Sequence, residues 1–113
     1  MKVPLTALDE KLGYTAFTPI DPESYFSDAY TGDLLSDVMG NAAENSVLIT
    51  IQAHKNSVAV ASLVGMKAIV LCNGRTAASD MIEAAQQESI ALFTTSESQF
   101  VASYRIAHLL GLS

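Results

Sequence analysis

Charge is what this sequence has least of. Lys, Arg, Asp and Glu together make up 16% of its 113 residues, against roughly 25% in an ordinary soluble domain. Only six residues are basic (Lys2, Lys11, Lys55, Lys67, Arg75 and Arg105), and they are scattered singly. Twelve acidic residues bring the net charge to −6. An acidic chain with no basic stripe is not built to track nucleic-acid phosphates or an anionic lipid surface. Cysteine occurs once, at Cys72, which excludes an internal disulfide and fits a reducing compartment. No apolar run approaches the about 20 residues that span a bilayer, and MKVPLTALDEK lacks the apolar stretch of a signal peptide. These absences together predict a cytoplasmic protein.

What is plentiful is apolar surface, with hydrophobic residues at 50%. The length fits one domain over residues 1–113, long enough to bury a core without disulfides or metals. Three near-continuous runs, Val47–Ile51, Ala68–Cys72 and Ile90–Thr94, read as strands buried on both faces. Between them, Asn56–Met66 and Thr76–Glu88 carry helical periodicity. After them Ser96-Glu97-Ser98-Gln99 reads as a capping box, opening a last helix with Phe100, Tyr104, Ala107 and Leu110 on one face, ended by Gly111. This alternation predicts an α/β fold: a small layered domain whose mainly parallel central sheet is flanked by helices. The N-terminal third is less distinct. A short helix over Thr6–Leu12, strands at Tyr14–Thr18 and Tyr25–Tyr30, and a helix over Asp33–Asn41 with Leu34, Leu35, Val38 and Met39 inward are expected there.

Ligands of parallel sheets bind outside the carboxyl ends of the strands. Those ends carry Gln52-Ala53-His54, Asn73-Gly74-Arg75 and Thr94-Thr95-Ser96. The candidate ligand contacts are therefore Gln52, His54, Asn73, Gly74, Arg75, Thr94 and Thr95: an imidazole, amides, a guanidinium and hydroxyls, with no carboxylate among them. Asn73-Gly74 reads either as an ordinary turn or as a glycine that lets backbone N–H groups approach an anion. Cys72 and His54 make a conceivable catalytic dyad, but no acid completes a triad, and a cysteine closing an apolar run reads as a small core residue. No catalytic residue and no cofactor is predicted. Metal binding is not predicted either, since His54 and His108 lack ligand spacing, and Asp33 with Asp37 reads as a solvated acidic helix start.

The stretch VLITIQAHKNSVAVASLVGMKAIVLCNGRTAASDMIEAAQQESIALFTT, with YTGDLLSDVM before it, resembles the DRTGG domain. The resemblance covers about residues 25–110. Ala53-His54 stands where that family has Asp-Arg, and Cys72-Asn73-Gly74 where it has Thr-Gly-Gly, so only Gly74 is kept. The chain is accordingly similar to small stand-alone members found near hydrogenase genes. The resemblance implies a fold like the N-terminal domain of HPr kinase, a regulatory role, no catalysis by the domain itself, and pairing across dimer interfaces.

Three functions are thereby set against one another. The first is a homodimeric regulatory module binding a small anionic or nucleotide-like ligand, or a regulatory partner protein, at the strand ends. The second is a scaffold or assembly subunit without a ligand, and the third an enzyme using Cys72 and His54. The helix Asn56–Met66 is apolar nearly all round, so it is expected to be covered either by the N-terminal segment or by a second copy of the chain.

Overall fold

The computed structural model describes residues 1–113. In chain order its elements are β1 (Val3–Pro4), α1 (Ala7–Glu10), β2 (Thr15–Ala16), β3 (Tyr25–Phe26), β4 (Asp28–Thr31), α2 (Leu35–Asn41), β5 (Ser46–Thr50), α3 (Lys55–Val64), β6 (Ala68–Leu71), α4 (Ser79–Gln87), β7 (Ala91–Thr94) and α5 (Gln99–Leu109). The three apolar runs become β5, β6 and β7, side by side and parallel, with Val47 opposite Ala68 and Ala68 opposite Ala91. β4 extends this group in parallel beside β5, and β2 closes the other edge antiparallel to β7. The sheet order is β2-β7-β6-β5-β4, and β1 pairs with β3 in a separate antiparallel ribbon.

The runs lack alternation because both faces of the sheet are covered. On one face Val47, Ile49, Val70 and Phe93 pack under Leu5, Leu8 and Phe26 of the N-terminal segment and under Ala102 and Ile106 of α5. On the other, Leu48, Ile69, Leu71 and Leu92 pack under Val38 of α2, Val58 and Ala61 of α3, and Met81 and Ala85 of α4. Each fully buried aliphatic side chain of this kind contributes about 1.5–3 kcal/mol. No helix is long and apolar enough to cross a membrane.

The structure departs from the sequence expectations where polar contacts override hydrophobic periodicity. Tyr25–Tyr30 is not one strand. It breaks at Ser27, whose N–H donates to the Asn45 carbonyl, and its halves join different sheets. In α2 only Val38 is buried, whereas Leu34 and Met39 face solvent. α4 begins at Ser79 and not at Thr76, because Thr94 Oγ1 holds the Arg75 carbonyl and the chain stays extended up to Ala78.

The last helix is rotated from its expected face. Its N-cap is Ser98, whose Oγ accepts from the Val101 N–H, and not Ser96. Ala102, Ile106 and Leu110 point inward, while Phe100 is 83% and Tyr104 61% exposed. Polar side chains on the sheet side set this rotation: Gln99 donates to Asp33, Ser103 meets Thr31, and Arg105 pairs with Glu97.

The N-terminal segment does not cover α3. It packs on the opposite face of the sheet, while α3 lies between α2 and α4. That leaves Leu63 as the large exposed apolar side chain of α3. Gly65 ends the helix at φ +86° and caps it with hydrogen bonds to the Ala61 and Ser62 carbonyls, a conformation that costs glycine little.

Candidate ligand site at the strand ends

Four parallel strands bring the ends of β4, β5, β6 and β7 to one edge. The first thing the edge holds is a carboxylate that the sequence reading placed elsewhere. Asp33 is not part of a helix start. It lies in the β4–α2 connection, one glycine past the strand, and its Oδ1 accepts hydrogen bonds from Thr50 Oγ1 (2.8 Å), the Ile51 N–H (2.9 Å) and Gln99 Nε2 (3.1 Å). Gln52 Nε2 donates to the Asp33 carbonyl at 3.0 Å. Desolvation opposes ionisation of Asp33. The Ile51 N–H, the Thr50 hydroxyl, the Gln99 amide and the charge of Arg75 outweigh it and hold the carboxyl below the ordinary carboxylate range. Asp37 is separate: it binds the Tyr30 hydroxyl and the Asn41 amide.

A second cluster ties β6 to the β7–α5 connection. Asn73 and Gly74 take φ of 58° and 68° in succession, and the Arg75 N–H closes the turn on the Cys72 carbonyl at 3.1 Å. Two consecutive left-handed residues are what an Asn-Gly pair accommodates best. The turn aims the Asn73 N–H at the Glu97 carbonyl and the Gly74 N–H at the Thr95 carbonyl, both at 2.9 Å. These donors therefore serve the fold and do not form an open anion cradle. Glu97 in turn accepts from the Tyr14 hydroxyl at 2.6 Å and pairs with Arg105, whose guanidinium also donates to the Leu12 carbonyl and lies over the Tyr14 ring. Burial, then Glu97, raises the Tyr14 pKa.

Cys72 lies beneath this edge, fully buried. Burial first, then the carboxylates of Glu97 and Asp33, pushes its thiol up to about 11. A thiol so shifted is protonated at neutral pH and a poor nucleophile. No three His, Cys, Asp or Glu side chains converge as a metal centre.

Of the seven candidate contacts, three keep side chains free for a ligand. Gln52 is committed to Asp33, Thr94 to the Arg75 carbonyl and Thr95 to the Glu97 N–H, while Gly74 has no side chain to offer. His54, Asn73 and Arg75 are exposed and make no side-chain hydrogen bond. His54 opens onto a shallow pocket of about 350 Å³ together with Lys55, Asn56, Ala78 and Asp80, between the starts of α3 and α4. Neither helix start is capped by a side chain. The sequence reading missed Lys55 here. A larger hollow, about 530 Å³, lies at the other end of the sheet beside Lys67, Ser89 and Ile90.

The sequence matches no known family profile and no curated protein. Among solved structures, the chain is similar to the CBS and DRTGG domains of the regulatory region of the Clostridium perfringens pyrophosphatase, solved in complex with its activator, diadenosine tetraphosphate. The match has a TM-score of 0.79 at 18% identity and covers 96% of this chain. The fold is DRTGG-like. The chain spans 48% of that neighbour's length. At this identity the likeness concerns the fold alone.

Proposed function

We propose that this DRTGG-like chain is a non-catalytic regulatory module, one unit over residues 1–113, that senses a small anionic, nucleotide-like ligand at the ends of β5 and β6. The observation that carries the reading is the fold match over 96% of the chain to a regulatory region solved with a dinucleoside polyphosphate activator. The edge supports it. The molecule's one ion pair joins Arg105 and Glu97, so Lys55 and Arg75 make no ion pair, and the Arg75 charge acts on Asp33 only at longer range. Lys55 lines the pocket between the N-termini of α3 and α4, which carry positive partial charge, and the Asp80 carboxylate lines it too. Nothing at the edge pairs a nucleophile with a base, since the buried Cys72 thiol stays protonated. The single buried cysteine is in keeping with a cytoplasmic setting. The working form is a homodimer, a reading supported by the low charge fraction and by the exposed apolar side chains.

Thermal melting with diadenosine tetraphosphate, ATP and inorganic tripolyphosphate tests the ligand reading. A ligand at about 100 times its Kd adds about 2.7 kcal/mol, which is a rise of roughly 10 °C for a domain of this size. A response to tripolyphosphate alone would assign recognition to phosphate and not to the nucleoside. No shift with any of the three at millimolar concentration would favour the scaffold reading.

A further inference from the structure

We propose that the homodimer forms through the outer row of α5 and not through α3. The inference rests on the homodimer reading above and assigns its surface. Phe100, Tyr104 and His108 stand at i, i+4 and i+8 on the solvent side of the helix, with Val101 and Ala107 beside them. Phe100 is 83%, Tyr104 61% and Val101 40% exposed, and the Tyr104 and His108 rings stack with centroids 6.5 Å apart. The helix carries one Lys, Arg, Asp or Glu, Arg105, and that side chain is engaged by Glu97 and the Leu12 carbonyl. The outward face of an 11-residue surface helix is thus aromatic and free of charged side chains, where a solvated helix ordinarily shows charge.

A second copy of this chain is the occupant that face fits. Each copy carries a net charge of −6, and this row adds no carboxylate to a contact between copies. It is also self-complementary. Two α5 helices crossing antiparallel on a two-fold axis at Tyr104 place Tyr104 on the partner's Tyr104 and Phe100 on the partner's His108. The area suffices for a modest dimer. An aromatic side chain buries about 150–250 Å², so both rows with their borders remove on the order of 1,000 Å² in total, the lower range of specific interfaces. The neighbouring sheet edge is not an alternative. β4 is four residues long, and the Asp28 carboxylate accepts from the Ala29 N–H, which blunts the edge against strand pairing. On α3, Leu63 is the one large apolar side chain that stands exposed.

Sedimentation equilibrium of the full chain across micromolar concentrations tests this, with Phe100→Glu, Tyr104→Glu and Leu63→Glu, each checked for folding by circular dichroism. The expected result is twice the 12.0 kDa chain mass for the parent and for Leu63→Glu, and association weakened at least about tenfold in each α5 variant. All three positions are solvent-exposed, so the fold should tolerate them. A dimeric parent whose α5 variants remain dimers overturns the assignment and leaves the homodimer standing elsewhere. A parent that is monomeric throughout overturns both.

Discussion

Asp33 joins the end of β4 to β5 and to the first turn of α5 through a single carboxylate oxygen. Removing it strands Thr50, a fully buried threonine, and the Ile51 N–H. Asp33→Ala should therefore cost about 2 kcal/mol in urea unfolding at pH 7. Its folded pKa is depressed, so its charge-dependent stability is fully present above the unfolded value near 3.8 and is lost as pH falls through the folded value. The difference between the parent and Asp33→Asn should shrink as pH is lowered below 4; a difference that grew with acidity would mean that folding raises the Asp33 pKa. Cys72 gives a second check at this scale. A buried thiol with a pKa near 11 should react with a neutral-pH thiol reagent at least about a hundredfold more slowly in the native protein than in urea. Cys72 was legible as core because it closes an apolar run. Asp33 was not, since nothing in Thr-Gly-Asp-Leu-Leu separates an aspartate that starts a helix from one that ends a strand and reaches across the sheet.

At the scale of elements, the sequence is most informative where burial is complete. β5, β6 and β7 are continuous apolar runs because helices cover both sheet faces, and their order and direction follow from right-handed βαβ crossovers. β2, β3 and β4 are two to four residues long, too short for alternation to declare itself, and their pairing depends on partners distant in sequence. α5 shows the other failure. Its row of Phe100 and Tyr104 looks like a core stripe, yet Ser103 and Gln99 find partners in β4 and just after it, Arg105 pairs with Glu97 ahead of the helix, and that row faces outward. The two registers differ in measurable stability. Ile106→Ala should cost about 2–5 kcal/mol, and Phe100→Ala within about 0.5 kcal/mol in the monomer at low concentration. Ser98→Ala should cost about 1 kcal/mol through the lost cap, and Ser96→Ala much less. Chemical denaturation of the four variants reads all of this at once.

For the whole molecule, the fold places four strand ends on one edge and then uses most of the polar groups there to hold itself together. The candidate contacts were legible as a set because strand-end position alone selects them. Which of them remain available was not legible, because the Asn73-Gly74 turn and the Asp33 cluster depend on tertiary partners. What is left for a ligand is His54, Asn73 and Arg75, with Lys55 between two uncapped helix starts. Titration calorimetry of the parent, His54→Ala and Arg75→Ala with diadenosine tetraphosphate is the most direct test of the regulatory reading. Saturable binding to the parent and a loss of affinity of about tenfold or more in each variant are expected. Unchanged affinity in both folded variants, or no binding to the parent at all, would contradict it.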